Sequence, residues 1–215
     1  MMPTPQDELA VQRAYDQVAD TYANHFRSTE PELPVDLGMI ELFASFLPSG
    51  KRVLDAGCGA GRMMPVLETF GCQVEGIDLS PEMIRRAQQD HPSFPSQVAS
   101  ISALPFPDGS FDGVFSWYST IHSPGPDLPR ILAEARRVLR PAGLLLVAFQ
   151  TGQGVRDLSE AYRRLGHNIT LRRYDRTPEG LGRLLTSASM TEVARLERAA
   201  ASHERTGQAV LIARV

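Results

Sequence analysis

The sequence predicts an α/β fold, a doubly wound parallel sheet with helices on both faces. Three observations predict it. Between Lys51 and Phe149, short β-rich runs alternate with helical stretches, the β-rich runs are almost continuously apolar, and a glycine-rich turn follows the first of them. Alternation of this kind is typical of strands joined by crossover helices. Near-continuous apolar runs indicate strands that helices cover on both faces.

Each element follows from its local pattern. Two helices, over 7–27 and 36–47, are predicted ahead of the sheet because their apolar residues recur at helical spacing, and the first is a candidate lid. The core then reads RVLDA, a helix 63–70, QVEGIDL, a helix 81–90, FDGVFSW, a helix 128–139 and GLLLVAF. The chain closes with a turn TGQG, a helix near 156–165, the strand NITLRRY, a helix 178–187 and the strands TEVARLER and QAVLIARV.

Composition narrows the class of protein. The 215 residues are 42% hydrophobic and 22% charged, as expected of a globular chain, and the net charge of −3 argues against a nucleic-acid partner. No apolar run approaches the roughly 20 residues of a membrane span, so we expect a cytoplasmic protein that is not bound to membranes. Lys51 is the only lysine among 22 basic residues, a bias typical of GC-rich bacterial coding. The histidines are scattered, which predicts no metal site.

The segment VLDAGCGAGR carries the strongest local signal. Gly57, Gly59 and Gly61 stand at i, i+2 and i+4 between a strand and a helix, where glycine permits a tight turn and close approach of a ligand. A nicotinamide-dinucleotide fingerprint would need another glycine at position 62, where this chain has Arg62. A dinucleotide is therefore disfavoured, and a purely structural turn stays open as an alternative.

An acidic residue, Asp78, ends the second strand 17 residues after Gly61. A carboxylate at that strand tip can accept hydrogen bonds from both hydroxyls of a ribose. The alternative is that Asp78 caps the next helix, but Ser80, directly before Pro81, already suits that position.

Four segments, VLDAGCGAGR, GIDLSPEMIRRA, LPFPDGSFDGVFS and EARRVLRPAGLLLVAF, resemble the class I S-adenosylmethionine (SAM)-dependent methyltransferases. With the leader AYDQVADTYANHF the resemblance spans roughly 14–150 and is specific to the type-11 group, related to the ubiquinone and menaquinone C-methylases. It implies a Rossmann-like sheet of seven strands whose last strand inserts antiparallel. It also implies SAM as the cofactor and methyl transfer to O, N or C of a small-molecule metabolite.

The resemblance also implies the cofactor-binding residues. They are Tyr22, Asp55, Gly57, Gly59, Gly61, Asp78, Leu79, Ser100, Ile101, Ser116 and Trp117. For Tyr22 the alternative, a core aromatic of the first helix, stays open. Asp55 and the glycine turn would hold the methionine end of SAM, and Asp78 its ribose. One departure is visible: many relatives carry an acid that accepts from the adenine amino group where this chain has Ser100. A hydroxyl of Ser100 or Ser102, or the Ile101 amide, would have to serve instead.

The sequence says less about the residues that would contact the methyl acceptor. His122, in the loop SWYSTIHS at the carboxyl edge of the sheet, is the candidate catalytic base, although it could equally cap the next helix or face water. Tyr118 faces either cofactor or acceptor. Arg172 and Tyr174, in the insertion after the fifth strand, are candidate acceptor contacts for an anionic molecule, with a solvated basic face as the alternative. The loop lacks the [DN]-P-P-[FYW] motif of enzymes that methylate planar amino groups.

These expectations combine into one domain over 1–215. It comprises an N-terminal helical lid (1–48), a cofactor-binding core (51–149), and an acceptor-side insertion with closing strands (150–215). A monomer or homodimer is expected. Two other functions stay open: a SAM-binding protein of this fold that transfers no methyl group, such as a scaffold, sensor or non-methylating catalyst, and a nicotinamide-dependent oxidoreductase.

Overall fold

A computed structural model describes residues 5–27, 29, 32–48 and 50–215. Residues 1–4, 28, 30 and 31 of the predicted N-terminal segment lie outside the described residues. The strands are β1 Arg52–Ala56, β2 Gln73–Asp78, β3 Ser96–Val98, β4 Phe111–Trp117, β5 Leu139–Gln150, β6 Gly154–Asp157, β7 Arg172–Asp175, β8 Thr191–Arg198 and β9 Gln208–Arg214. The helices are α1 Pro5–His25, α2 Pro34–Phe46, α3 Met64–Thr69, α4 Pro81–Asp90, α5 Leu128–Val138, α6 Ser159–Arg164 and α7 Pro178–Ser187.

The main sheet has seven strands in the order β3-β2-β1-β4-β5-β9-β8. The first five are parallel to one another, whereas β9 runs antiparallel to both β5 and β8. The predicted fold, with its antiparallel last strand, is confirmed. Successive connections run in opposite directions from β1, so a crevice forms at the carboxyl ends of β1 and β4, where doubly wound sheets bind ligands.

Helices cover both faces of the sheet because the central strands β1, β4, β5 and β9 are apolar on both sides. One face packs on α2 and α3 around Phe43 and Phe115, and the other packs on α5 and α7 around Phe111 and Leu185. α4 begins as predicted, with the Ser80 hydroxyl accepting a hydrogen bond from the Met83 amide at 3.1 Å. The helices therefore hold the strand ends in fixed register below the crevice.

The structure differs from the sequence prediction at two short strands. β3 has three residues and an exposed valine, so it carries no apolar run that would reveal it. The predicted turn TGQG gives way at Gly154 to β6, and the helix expected near 156–165 begins only at Ser159. β6 pairs with β7 in a separate two-stranded sheet whose side chains on β6 are all exposed. Periodicity is not informative for such strands.

α1 is anchored to the core at two places. Its small residues Ala19 and Ala23 pack against Met83, and its Asp20 forms ion pairs with Arg85 and Arg86 of α4. A second apolar cluster joins the same helix to the segment before β7. α1 therefore bridges the core and the segment that follows β5. None of the described helices has both the length and the apolarity needed to cross a bilayer.

Candidate active site

A cavity of about 620 Å³ lies at the carboxyl ends of β1, β2 and β4, between these strand ends and α1. It brings together most of the residues selected from the sequence. Those that line it are Tyr22, Asp55, Gly57, Gly59, Asp78, Leu79, Ser100, Ile101, Trp117, Tyr118 and His122. Gly61, Ser116, Arg172 and Tyr174 are not among its lining residues.

The glycine turn is built on left-handed backbone. Gly57, Gly59 and Gly61 have φ of +87°, +55° and +86°, a region that side chains with a Cβ rarely adopt. The amides of Gly57 and Cys58 both donate to the carbonyl of Ile77 at 2.8 Å, which ties the turn to β2. The turn therefore holds its shape through backbone bonds.

Gly59 and Gly61 serve different purposes. A Cβ on Gly59 would meet only the Tyr22 ring, at 3.9 Å, so this position opens into the cavity. A Cβ on Gly61 would lie 2.5 Å from the Met64 side chain, which assigns Gly61 to packing against the helices and not to the cavity. Ser116, predicted as a cofactor-binding residue, also does not line the cavity. Its hydroxyl shares a 2.7 Å hydrogen bond with the hydroxyl of Ser119, and Ser119 lines the cavity.

Asp55, at the end of β1, is one of three cavity residues, with Gln150 and Gln208, whose buried side-chain oxygen has no hydrogen-bond partner among the described residues. Its side chain is buried, with 2% of the residue exposed, and its Oδ2 has no hydrogen-bond partner among the described residues. Burial, reinforced by the neighbouring Asp78 carboxylate, raises the pKa of Asp55 to about 7. A buried carboxylate without a partner is costly unless a ligand satisfies it. Asp55 is therefore prepared to receive a cationic donor.

Asp78 is held rigidly at the tip of β2. Its Oδ2 accepts from the amide of Gly59 and its Oδ1 accepts from the amide of Ser80, both at 2.9 Å. Burial raises the pKa of Asp78, although these two amide donors oppose the shift. A carboxylate has about four lone-pair positions, so each oxygen can still accept one more hydrogen bond. Its position and free capacity fit a vicinal diol.

Arg62, whose presence argued against a dinucleotide fingerprint, forms a paired contact with Glu32. The two guanidinium nitrogens donate to the two carboxylate oxygens at 2.6 and 2.9 Å, and Glu32 also accepts from Trp117 Nε1 at 3.1 Å. Both members of the pair are largely buried. The pair fastens the segment before α2 to the glycine turn, so Arg62 forms one wall of the cavity.

His122 follows β4 in a single helical turn, Thr120–His122, and both of its ring nitrogens are engaged. Nδ1 donates to the carbonyl of Arg172 at 2.6 Å, since a carbonyl can only accept. In the neutral ring Nε2 then accepts from the Tyr15 hydroxyl of α1, at 2.7 Å. Burial lowers the pKa of His122 to about 4 and raises that of Tyr15 well above its usual value. The structure therefore favours a positioning role over the predicted base role.

Neither of the two candidate acceptor contacts on β7 lines the cavity. Arg172 is exposed, and neither its side chain nor Tyr174 reaches the cavity. Arg173, between them, lines the cavity and donates to the buried carboxylate of Asp175 at 2.7 Å. Successive strand residues face opposite sides, so a strand placed by sequence alone can be misread by one residue. Arg172 contributes its carbonyl to His122 instead.

Several cavity residues carried no sequence signal. Arg198 of β8 lies between two carboxylates, donating to both oxygens of Asp36 at 2.7 Å and to Glu204. The same wall carries Tyr118, whose pKa burial raises. On the opposite side Glu8 of α1 meets Ser100 and Ser102. Charged residues of this kind lie in ordinary amphipathic stretches, and no spacing rule distinguishes them from surface charges. Across the described part of the chain, no cluster of three or more metal-ligating residues is found.

Comparison with known proteins decides the family. Residues 54–147 match the family model described as a methyltransferase domain. The chain belongs to the class I SAM-dependent methyltransferases, in the type-11 group. SAM is the cofactor of this family. The match covers β1 through most of β5, which are the strands that carry the glycine turn, Asp55 and Asp78.

Two curated relatives and one solved structure illustrate the likeness. A malonyl-[acyl-carrier protein] O-methyltransferase of Erwinia pyrifoliae is 31% identical over 182 residues, 82% of this chain and 65% of that protein. A 2-methyl-6-phytyl-1,4-hydroquinone methyltransferase of Synechocystis is 41% identical over 108 residues, 47% of this chain and 33% of that protein. This methyltransferase-family chain therefore spans less than two thirds of either relative. A SAM-dependent methyltransferase structure from Methanosarcina mazei has a TM-score of 0.68 at 24% identity, covering 80% of this chain and 96% of its own.

Proposed function

We propose that this chain is an enzyme that transfers a methyl group from SAM to O, N or C of a small molecule by in-line displacement. The observation that carries the proposal is the buried carboxylate of Asp55, whose Oδ2 has no hydrogen-bond partner among the described residues, beside Asp78 in one cavity. A site that keeps two carboxylates close together in a buried position favours a ligand with a cationic group at one end and hydroxyl donors beyond it. SAM has both.

The chain's residues would divide the work as follows. Bound SAM supplies an electrophilic methyl group on a sulfonium. Asp55, with the open face of Gly59, would hold the ammonium of the methionine end, and the remaining lone pairs of Asp78 would accept from the ribose. Tyr22 and Trp117 would exclude water from the site. Alignment of two reactants in a dry site is worth up to about 7–11 kcal/mol, which is the main contribution such a protein needs to make.

His122 and Tyr15 favour an acceptor that needs no base. Burial makes both the imidazolium of His122 and the phenolate of Tyr15 unfavourable, so this pair is poorly suited to take up a proton. We propose that the pair positions α1 over the site, and that the acceptor atom has a free lone pair and needs no deprotonation before it attacks, as is the case for a carboxylate oxygen or a neutral amine nitrogen. The O-methyltransferase named above is compatible with this class of acceptor.

The remaining expectations stay proposals. We propose one domain over 1–215, with 1–48 as a helical lid, 51–149 as the cofactor-binding core and 150–215 as the acceptor side. Tyr118, Arg173 and His122 would contact or position the acceptor. The net charge of −3 supports a small-molecule acceptor over nucleic acid. A cytoplasmic monomer or homodimer of bacterial origin fits the composition.

Two measurements test the function in sequence. Calorimetry with SAM, S-adenosylhomocysteine, NAD and NADP should detect binding of the first two only. A screen of small-molecule acceptors with methyl-labelled SAM should then transfer label to at least one. Binding of NAD in place of SAM would contradict the cofactor. Tight SAM binding with no transfer to carboxylates, amines or phenolic rings would favour the alternative, a SAM-binding protein without methyl transfer.

A further inference from the structure

Glu8, in the first turns of α1, reaches across the cavity to the turn that follows β3. Its Oε2 accepts from the Ser100 hydroxyl at 3.1 Å, and its Oε1 accepts from the Ser102 hydroxyl at 2.5 Å. Arg130 of α5 donates to the same carboxylate at 3.2 Å and to Ser102. Three donors from two other elements thus orient one carboxylate, although Glu8 lies more than 90 residues from Ser100 along the chain.

The strand order β3-β2-β1 places Asp78 between Asp55, at the end of β1, and Ser100, the partner of Glu8 after β3. Toward β3 the cavity is lined by Leu79, next to Asp78, and by Ser100 and Ile101, next to Glu8. A ligand whose ammonium sits on Asp55 and whose diol sits on Asp78 extends its base toward Leu79 and Ile101. Adenine carries an exocyclic amine at C6, a hydrogen-bond donor that unsubstituted purine and hypoxanthine lack at that position. Neutral serine hydroxyls accept such a bond only weakly, whereas a carboxylate accepts it strongly.

We propose that Glu8 recognises the exocyclic amine of the adenine ring and is a determinant of cofactor specificity. The inference rests on the proposed function, because it requires SAM to bind in this cavity. Ser100 then acts as a donor that orients Glu8, and the acid missing from position 100 is supplied from α1. Oε2 accepts only the Ser100 hydroxyl among the hydrogen bonds described for it, so it retains capacity for the amine.

The assignment has a mechanical consequence. The acceptor for the base is carried by α1, the helix whose Tyr15 also meets His122. SAM with its exocyclic amine would form a contact with Glu8 that helps to keep α1 packed over the cavity. A cofactor without the amine would not form this contact. Adenine recognition is therefore coupled to packing of α1, the proposed lid, over the cavity.

A double-mutant cycle between protein and ligand tests the proposal. Affinities of wild type and Glu8→Gln are measured by calorimetry for S-adenosylhomocysteine and for its analogue with purine in place of adenine, which lacks the exocyclic amine. Glu8→Gln should weaken binding of the complete ligand about tenfold and change binding of the analogue less than twofold. Equal weakening of both ligands would overturn the proposal, because it would mean that Glu8 only fastens α1.

Two further variants sharpen the test. Ser100→Asp added to Glu8→Gln should restore most of the lost affinity for the complete ligand, because it returns a carboxylate to the same place. Asp20→Asn removes the ion pairs of α1 with α4 outside the cavity, so it should leave the preference for the amine unchanged. Asp127 is another carboxylate that lines the cavity, and Asp127→Asn should also leave the preference for the amine unchanged. If Asp127→Asn instead abolished the preference, Glu8 would not be the acceptor. Failure of wild type to bind either ligand would reject the proposed function itself.

Discussion

The two ends of the cavity are built in different ways. At the cofactor end, the glycine turn, Asp55 and Asp78 lie within one continuous stretch, 55–78, and are joined by backbone hydrogen bonds between β1 and β2. At the acceptor end, His122 is joined to Tyr15, 107 residues away, and to the carbonyl of Arg172, 50 residues away. The glycine turn and its two carboxylates are local in sequence, whereas the acceptor end is assembled from distant segments.

This difference has consequences for evolution and for design. A local motif can be kept whole while the rest of the chain changes, because its geometry depends on a strand, a turn and a neighbouring strand. The acceptor end depends on how α1 and the segment after β5 pack, so a change in either alters it. We therefore expect substitutions at the glycine turn, Asp55 and Asp78 to act chiefly on SAM affinity, and those at the acceptor end to act on stability and acceptor use.

The largest effect is expected at Gly59. Gly59→Val forces a β-branched residue to φ +55° and fills space that opens into the cavity, so SAM affinity should fall more than about a hundredfold. Gly71→Val is the matched control, because Gly71 has φ +79° and open space around it but does not line the cavity. It should lose stability, by about 1–2 kcal/mol, and keep its affinity. Normal SAM binding by Gly59→Val would mean that the glycines form only a turn.

A smaller loss is expected at Asp78. Asp78→Ala should weaken SAM binding about ten- to a hundredfold, because a charged acceptor contributes roughly 1.5–3 kcal/mol. Asp112 is a buried aspartate at the opposite edge of the sheet, where it accepts from Arg140 and the Arg52 amide. Asp112→Ala should destabilise the fold without changing SAM affinity. Calorimetry with SAM on the two folded variants compares the two edges of the sheet directly. Equal SAM affinities of Asp78→Ala and Asp112→Ala would contradict the assignment of Asp78 to the ribose.

At the acceptor end, burial of His122 should make the free energy of unfolding depend on pH. The folded-state pKa of about 4 lies below the ordinary value near 6.5, so the unfolded chain binds this proton more tightly. Stability is therefore complete above about pH 6.5 and is lost as the pH falls, by about 2 kcal/mol between pH 7 and 5. His122→Gln, which keeps a donor and an acceptor, should lack this component in urea unfolding at the two pH values. The same pH dependence in both proteins would show that His122 is not buried as described.

The smallest effect separates two neighbours on β7. Arg173 lines the cavity and Arg172 does not, so Arg173→Ala should raise the KM of an acceptor several-fold, whereas Arg172→Ala should leave it unchanged. Both variants should keep normal SAM affinity, because neither residue touches the cofactor end. Kinetics with the acceptor from the labelled-methyl screen provide the comparison. A raised KM for Arg172→Ala alone would mean that Arg172, and not Arg173, faces the acceptor.

The same contrast explains how far the sequence was informative. The sheet, its antiparallel last strand, the Ser80 cap and the residues at the ends of β1 and β2 follow from patterns within short stretches. Glu8, Glu32 and Arg198 could not be predicted, because each acts through partners far away in the chain. That Arg173, and not Arg172 or Tyr174, lines the cavity could not be predicted, because the two-stranded sheet with an exposed β6 has no alternation of apolar and polar residues that shows which residues of β7 face the cavity.

The central claim is that Asp55 receives the cationic end of SAM, and its titration tests this most directly. Because the pKa of Asp55 is raised to about 7, a proton competes with the ligand's ammonium below neutral pH. SAM should therefore bind about tenfold more weakly at pH 6 than at pH 8, and binding at pH 7 should release about half a proton. Calorimetry in buffers of different ionisation enthalpy measures both. Asp55→Asn should bind weakly and without this pH dependence. A wild-type affinity that does not change with pH, or the same dependence in Asp55→Asn, would contradict the account.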